Sequence, residues 1–200
     1  MVKELNGISC LDVESKSKNK KSICTSRTFG NMIDNKSDLE SSIAMYTVRC
    51  AEKLRRQHSC ASLAHVFIST NPFRKDLSQY YNISTVNFPV ATDDTGEMIK
   101  YILRGFRKIY KSEYNYKKAG VIISGIISNS EVQENFFDKK NRFKSQKIMQ
   151  TIDKINKKMG QDKIRYAAQG ISNKWKLKQQ CLSPCYTTRW SDLLVIDIKQ

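Results

Sequence analysis

The chain has 200 residues, of which 40% are hydrophobic, 27% charged and 10% aromatic, a composition that fits one ordinary domain or two small ones and excludes disorder throughout. Its 35 Lys+Arg against 19 Asp+Glu leave a formal net charge of +16, an excess most easily tolerated beside a polyanion. The longest apolar run, Ala119 to Ile127, is interrupted by Gly120, Ser124 and Gly125 and falls far short of the roughly 20 residues that cross a bilayer, so neither a membrane span nor a membrane partner is expected.

The opening, Met1 to Gly7, lacks an apolar core of signal-peptide length, which predicts a cytoplasmic chain whose cysteines (Cys10, Cys24, Cys50, Cys60, Cys181, Cys185) are thiols and not a disulfide framework. Ser15-Lys-Ser-Lys-Asn-Lys-Lys21 is polar and reads as linker. From Lys21 to Phe29 the residues become β-branched and small, which suits a strand, with Gly30-Asn31 as its closing turn. Ser37-Asp-Leu-Glu40 matches a capping box and starts a helix whose apolar positions Leu39, Ile43, Tyr46, Cys50 and Leu54 form one stripe, ending near Gln57.

Ala61 to Ser69 is apolar on both alternating sets and reads as a strand stopped by Asn71-Pro72; a second strand is expected over Ser84 to Val90. Thr92-Asp-Asp-Thr95 is a dense cap signal for a helix carrying Ile99, Ile102, Leu103, Phe106, Ile109 and Tyr110. A last strand runs from Tyr116 to Ile127, where Gly120 and Gly125 mark a bulge or a close backbone approach. The predicted order is β-α-β-β-α-β, an α+β unit with two helices over one face of a four-stranded sheet. A further helix carries Ile148, Ile152, Ile155 and Met159 up to Gly160, and Tyr166 to Gly170, Trp175 and Leu193 to Ile196 suggest a small second core ringed by Lys174, Lys176 and Lys178.

Charge is unevenly distributed: residues 139–200 hold 15 Lys+Arg against 4 Asp+Glu. Such a run is either a solvated face or a polyanion-binding surface, and a one-sided excess over some sixty residues favours the second. Catalytic constellations are nearly absent, with no Gly-rich phosphate loop, no dinucleotide fingerprint and no His-Glu-x-x-His helix. His65 reads as a satisfied mid-strand histidine and His58 as a helix-end residue. Asp93 and Asp94 are better explained by capping than by Mg²⁺, and Cys181 and Cys185 by free thiols than by half a zinc site. The strand from Lys21 suits nucleic acid, because small hydroxyls and amides let a phosphodiester approach closely while Arg27 supplies charge; Lys117 and Lys118 are expected to add to the same face.

Four segments in order, Glu4-Leu-Asn-Gly-Ile-Ser-Cys-Leu11, Ser26-Arg-Thr-Phe-Gly30, Ala51-Glu-Lys-Leu-Arg55 and Ser183-Pro-Cys-Tyr-Thr-Thr-Arg-Trp-Ser-Asp-Leu193, resemble the C-terminal half of UmuC-type catalytic subunits of DNA polymerase V, Y-family translesion polymerases of the bacterial SOS response. The resemblance covers almost the whole chain and implies a little-finger domain, which grips the primer-template duplex through its backbone. Carried over residue by residue, it assigns phosphate contacts to Lys21, Ser26, Arg27, Thr28, Lys117 and Lys118; Thr28 replaces a serine common in the family and keeps the hydroxyl. It implies residues 1–19 as linker and end of the thumb region, 20–128 as the little finger, 129–144 as linker, and 145–200 as a small basic C-terminal domain.

Phe136 and Phe137 stand in a polar stretch, where an aromatic pair either folds back on its own sheet or marks a docking peptide. The spacing in Val132-Gln-Glu-Asn-Phe-Phe137 resembles the sliding-clamp-binding peptide of bacterial polymerases, which implies a rim contact by Gln133, a place for Asn135 in the motif, and a pocket filled by Phe136 and Phe137. Glu134 departs from the aliphatic residue usual there, and Cys185 stands where relatives have a basic residue. Implied partners are damaged or primer-template DNA and the clamp, with the UmuD′ dimer and RecA for the C-terminal domain. The palm, fingers and thumb, with their Mg²⁺ carboxylates, would precede Met1, so this chain alone is expected to bind no cofactor and polymerise nothing. The alternatives are a standalone protein that competes for clamp or RecA, and one half of a split polymerase.

Overall fold

A computed structural model describes residues 2–10, 19–138, 140–171, 175 and 182–193. After a short helix α1 (Val2–Leu5), the elements run β1 (Ile23–Ile33), α2 (Lys36–Arg56), β2 (Ser59–Ser69), β3 (Tyr81–Thr92), α3 (Thr95–Ile109), β4 (Tyr116–Ser128) and α4 (Arg142–Met159). Strands β1 to β4 form one antiparallel sheet in the order β1-β4-β2-β3, so β1 and β3 are its edges. The order of elements read from periodicity is the observed one.

Alternation along the strands decides what the helices cover. Ile23, Thr25 and Phe29 on β1, Ala119, Val121 and Ile123 on β4, Ala64, Val66 and Ile68 on β2, and Phe88 on β3 are buried. The stripe Leu39, Ile43, Tyr46, Cys50 and Leu54 of α2 packs on them beside Met98, Ile102 and Phe106 of α3. Each Val, Leu, Ile, Phe or Met side chain among them, taken fully out of water, contributes about 1.5–3 kcal/mol. The Cys50 thiol, 3.2 Å from Thr25 Oγ1, fixes α2 over the β1–β4 seam.

The cap chemistry differs in one place from expectation. Asp94 Oδ1 accepts from the Glu97 N–H at 2.7 Å and starts α3 as predicted. The N-cap of α2, however, is Asn35, whose Oδ1 accepts from the Ser37 N–H at 2.9 Å, so the helix starts at Lys36 and Ser37 lies inside its first turn. Glu40, freed from a capping box, accepts from Arg107 Nε of α3 at 2.8 Å and ties the two helices together.

Two further expectations are corrected. Gly30-Asn31 is not a turn: β1 continues to Ile33, with the β1–β4 register shifting between Thr28 and Ile33, and the Gly30 N–H donates to the Trp175 carbonyl at 3.4 Å. Nor does Trp175 belong to a separate small core. It is 4% exposed and meets Phe29 and Tyr46 edge-on, with ring centroids 6.3 and 5.7 Å away, so it completes the main core. Tyr166 packs on that same core, while Lys174, Lys176, Lys178 and residues 194–196 lie outside the described residues.

Strand β3 is longer than predicted and contains Pro89, which an edge strand tolerates where the register shifts between Ala61 and Leu63 of its neighbour. Helix α4 ends at Gly160 (φ 106°) and is tied down by Arg55, which donates to both carboxylate oxygens of Asp153 at 2.7 and 2.8 Å. The same guanidinium donates to the Asp93 carbonyl at 2.7 Å and to Thr95 Oγ1 at 2.8 Å, joining the end of α2 and the start of α3 to the body of α4. Among the described residues no helix is long and apolar enough to cross a membrane.

Candidate nucleic-acid interface

Side chains one residue out of phase with the core point from the opposite face of the sheet, where no helix packs among the described residues. The ladder aligns them in rows. Thr28 pairs with Lys118, Lys118 with Ser69 and Ser69 with Tyr81, one row across all four strands. The next row is Ser26, Gly120, Phe67 and Ile83. Gly120 is required there: a Cβ would lie 2.5 Å from both Phe67 Cζ and Ser26 Cβ. The Lys118 ammonium stands 5.9 Å from the Phe67 ring centroid, an attraction that holds the charge over the open face.

The predicted phosphate contacts divide. Ser26, Thr28 and Lys118 share the open face. Lys117, half-buried, donates from Nζ to the Gly30 carbonyl at 3.1 Å but lines, with Thr28, Ser69, Tyr81 and Lys118, a groove of about 830 Å³ at that end of the sheet. Lys21 is exposed just before β1, seven residues from Thr28, which is roughly 23 Å of extended chain. Arg27 pairs with Ala119 and therefore lies on the helix side, beside Tyr46, Arg49 and Trp175. The expectation that Arg27 and Lys118 share a face fails because consecutive strand residues point to opposite sides. Burial pushes the Tyr46 hydroxyl above its ordinary pKa, while the Arg27 guanidinium pulls the other way.

His65 is satisfied as expected, its ring nitrogens 3.0 Å from Thr85 Oγ1 and 3.0 Å from Ser124 Oγ. The described cysteines are free thiols; burial raises Cys50 to about 11 and Cys60 to about 12, leaving neither a ready nucleophile. Asp94 caps α3, while Asp93 offers its carbonyl to Arg55 and its side chain makes no capping bond among the described residues, which contain no cluster of three metal-ligating side chains. Burial raises the Asp93 carboxyl, partly offset by Arg55. Burial acts on Asp94 in the same direction, but hydrogen bonds from Ser145 and the Glu97 N–H, with Lys140 nearby, outweigh it and hold Asp94 below the usual carboxylate range.

The Phe136–Phe137 pair does not fold back. The two rings are 97% and 84% exposed and touch only edge-on to each other, 5.8 Å apart. Asn135 Oδ1 accepts from the Phe137 N–H at 2.9 Å, forming a tight turn, and Gln133 is exposed beside it. The segment is anchored at its far end, where Arg142 donates to Asp138 at 2.6 Å and to Glu97 at 3.2 Å.

Phe67 and Ser69 of the open face are not legible in the sequence, because β2 is apolar on both alternating sets and gives no sign of which set the helices cover; Tyr81 lies before the strand expected from Ser84 and enters the face because β3 starts three residues earlier.

The impB/mucB/samB family C-terminal domain matches residues 20–136, and a domain of unknown function (DUF4113) matches residues 146–196. Protein UmuC of Salmonella typhimurium is 35% identical over 96% of this chain and 46% of its own length. Protein ImpB of Salmonella typhimurium is 33% identical over 96% of this chain and 45% of its own length. The chain thus spans less than half of these relatives. A solved complex of the beta-clamp processivity factor and the little finger domain of PolIV aligns over 58% of this chain and 99% of that one, at 12% identity and a TM-score of 0.39. Since the family model runs unbroken through the whole sheet and both of its covering helices, the chain belongs to the impB/mucB/samB family and carries its C-terminal domain.

Proposed function

We propose that this chain is the DNA-gripping and clamp-docking part of a Y-family translesion polymerase acting in the SOS response. The observation that carries the proposal is the row Thr28, Lys118, Ser69 and Tyr81 on a sheet face that no helix covers among the described residues. Small hydroxyls at an edge strand let a phosphate come close, a lysine supplies charge, and neither reads sequence. A polymerase that must hold any damaged template needs such indifference. In this reading residues 20–128 grip DNA, 129–144 carry the clamp peptide, and 145–200 form the C-terminal domain that meets the UmuD′ dimer and RecA. Nucleotide addition and its Mg²⁺ belong to the palm and fingers regions of the same enzyme.

The test is duplex affinity at two salt concentrations. Backbone binding gives a steep fall with salt and little change between sequences; a flat response rejects the proposal. For clamp docking, the exposed pair is replaced by Phe136→Ala and Phe137→Ala. Clamp capture is lost, while duplex affinity and unfolding stability stay within about 0.5 kcal/mol, since neither ring is buried. Clamp capture that survives the double substitution rejects the peptide assignment.

A further inference from the structure

The groove at the end of the open face has two kinds of wall. One is polar and cationic, with Thr28, Lys117 and Lys118, and the other is apolar and aromatic, with Pro72, Phe73 and Tyr81. Phe73 is 91% exposed and Tyr81 65%, and Ile83, two residues along β3 and so on the same face as Tyr81, is 44% exposed. Phe67, half-buried, pairs with Ile83 across the ladder and extends the patch to the Lys118 ammonium. A single exposed apolar side chain is ordinary, but a contiguous set beside fixed charge marks a contact surface.

The loop that carries Phe73 is tied by its own hydrogen bonds. The Thr70 N–H donates to the Tyr80 carbonyl at 3.0 Å, Gln79 Nε2 donates to the Arg74 and Leu77 carbonyls at 2.7 and 3.0 Å, and the Phe73 N–H donates to Asn71 Oδ1 at 3.1 Å. Phe73 is therefore presented to solvent from an ordered backbone, and little conformational freedom remains to be lost when its ring meets a ligand. A phosphate gains nothing from an aromatic face. A nucleobase does, and because every base has a π face the gain tolerates any sequence. Within a duplex the bases are stacked on one another and out of reach, so only a nucleotide outside the helix can use these rings.

We infer that the wall formed by Phe73 and Tyr81 is a stacking site for an unpaired nucleobase, so that the open face holds a single-stranded nucleotide of the DNA and not the duplex alone. The groove, at about 830 Å³, has room for a nucleotide with its base on the aromatic wall and its phosphate toward Thr28 and Lys118. This rests on the reading of the open face as a DNA surface and adds to it a contact with bases, which gripping the backbone does not supply.

Two probes separate bases from phosphates: a duplex with a short thymidine overhang, and the same duplex with an overhang of abasic residues that keeps every phosphate. Titrated with the full chain at constant ionic strength, the thymidine probe binds at least about fivefold more tightly. Phe73→Ala with Tyr81→Ala brings the ratio of the two affinities to one, whereas Phe73→Trp with Tyr81→Phe keeps it. Lys118→Gln weakens both probes alike and preserves the ratio. The urea midpoint of the double-alanine chain, unchanged for side chains so exposed, shows that its fold is intact. Equal affinity of the unaltered chain for the two probes, with steep salt dependence retained, overturns the inference and leaves the backbone-gripping reading standing. A ratio that survives the double-alanine substitution also overturns it. No salt-dependent binding of either probe rejects the DNA reading itself, and the inference with it.

Discussion

Thr28 and Lys118 are partners across the β1–β4 ladder and stand together on the uncovered face of the sheet, whereas Arg27, one residue earlier, pairs with Ala119 and points to the helix side. Two cations that the sequence places near the same strand thus act on opposite surfaces.

Lys118→Gln reduces affinity for duplex DNA and lowers the slope of log K against log salt by about one, as expected for one lost phosphate contact. Arg27→Gln leaves that slope unchanged. Filter binding or fluorescence anisotropy over a salt series checks both, and an equal effect of the two substitutions contradicts the division of faces.

Gly120→Ala destabilises the fold by about 1–3 kcal/mol, because the added methyl meets Phe67 and Ser26 carbon atoms that cannot both withdraw. Phe67 is displaced from beneath Lys118, so DNA affinity falls as well. A lower urea midpoint is the primary measurement.

Arg55→Ala costs about 3 kcal/mol. The guanidinium is 9% exposed and its removal leaves Asp153, the Asp93 carbonyl and Thr95 without their shared donor. Exchange of α4 amides speeds up before that of the sheet, since Arg55 is a principal tie between α4 and the helices α2 and α3. Uniform loosening of both would refute this role.

Acid titration separates Asp94 from its neighbour. Its folded-state pKa is depressed, so its stabilising contribution is complete above the unfolded value near 3.9 and is lost as pH falls through the lower folded value. Asp93 is shifted upward and works in the opposite sense, being easier to protonate in the folded chain. Asp94→Asn therefore flattens the loss of stability below about pH 4, whereas Asp93→Asn steepens it. Unfolding midpoints measured from pH 3 to 6 check the signs.

Much of the architecture is legible in the amino-acid order, because it depends on local chemistry. The stripe from Leu39 to Leu54, the Asp94 cap and the alternation of Ala119, Val121 and Ile123 determine element type and the β-α-β-β-α-β order. They say nothing of which face stays bare. The sides taken by Arg27 and Lys118, the addition of Phe67, Ser69 and Tyr81 to the open face, and the burial of Trp175 against Phe29 and Tyr46 follow from strand register and packing between distant segments. Each is set by contacts far apart along the chain. A side-chain period of two identifies two faces within a strand, but only the arriving helices decide which one meets solvent.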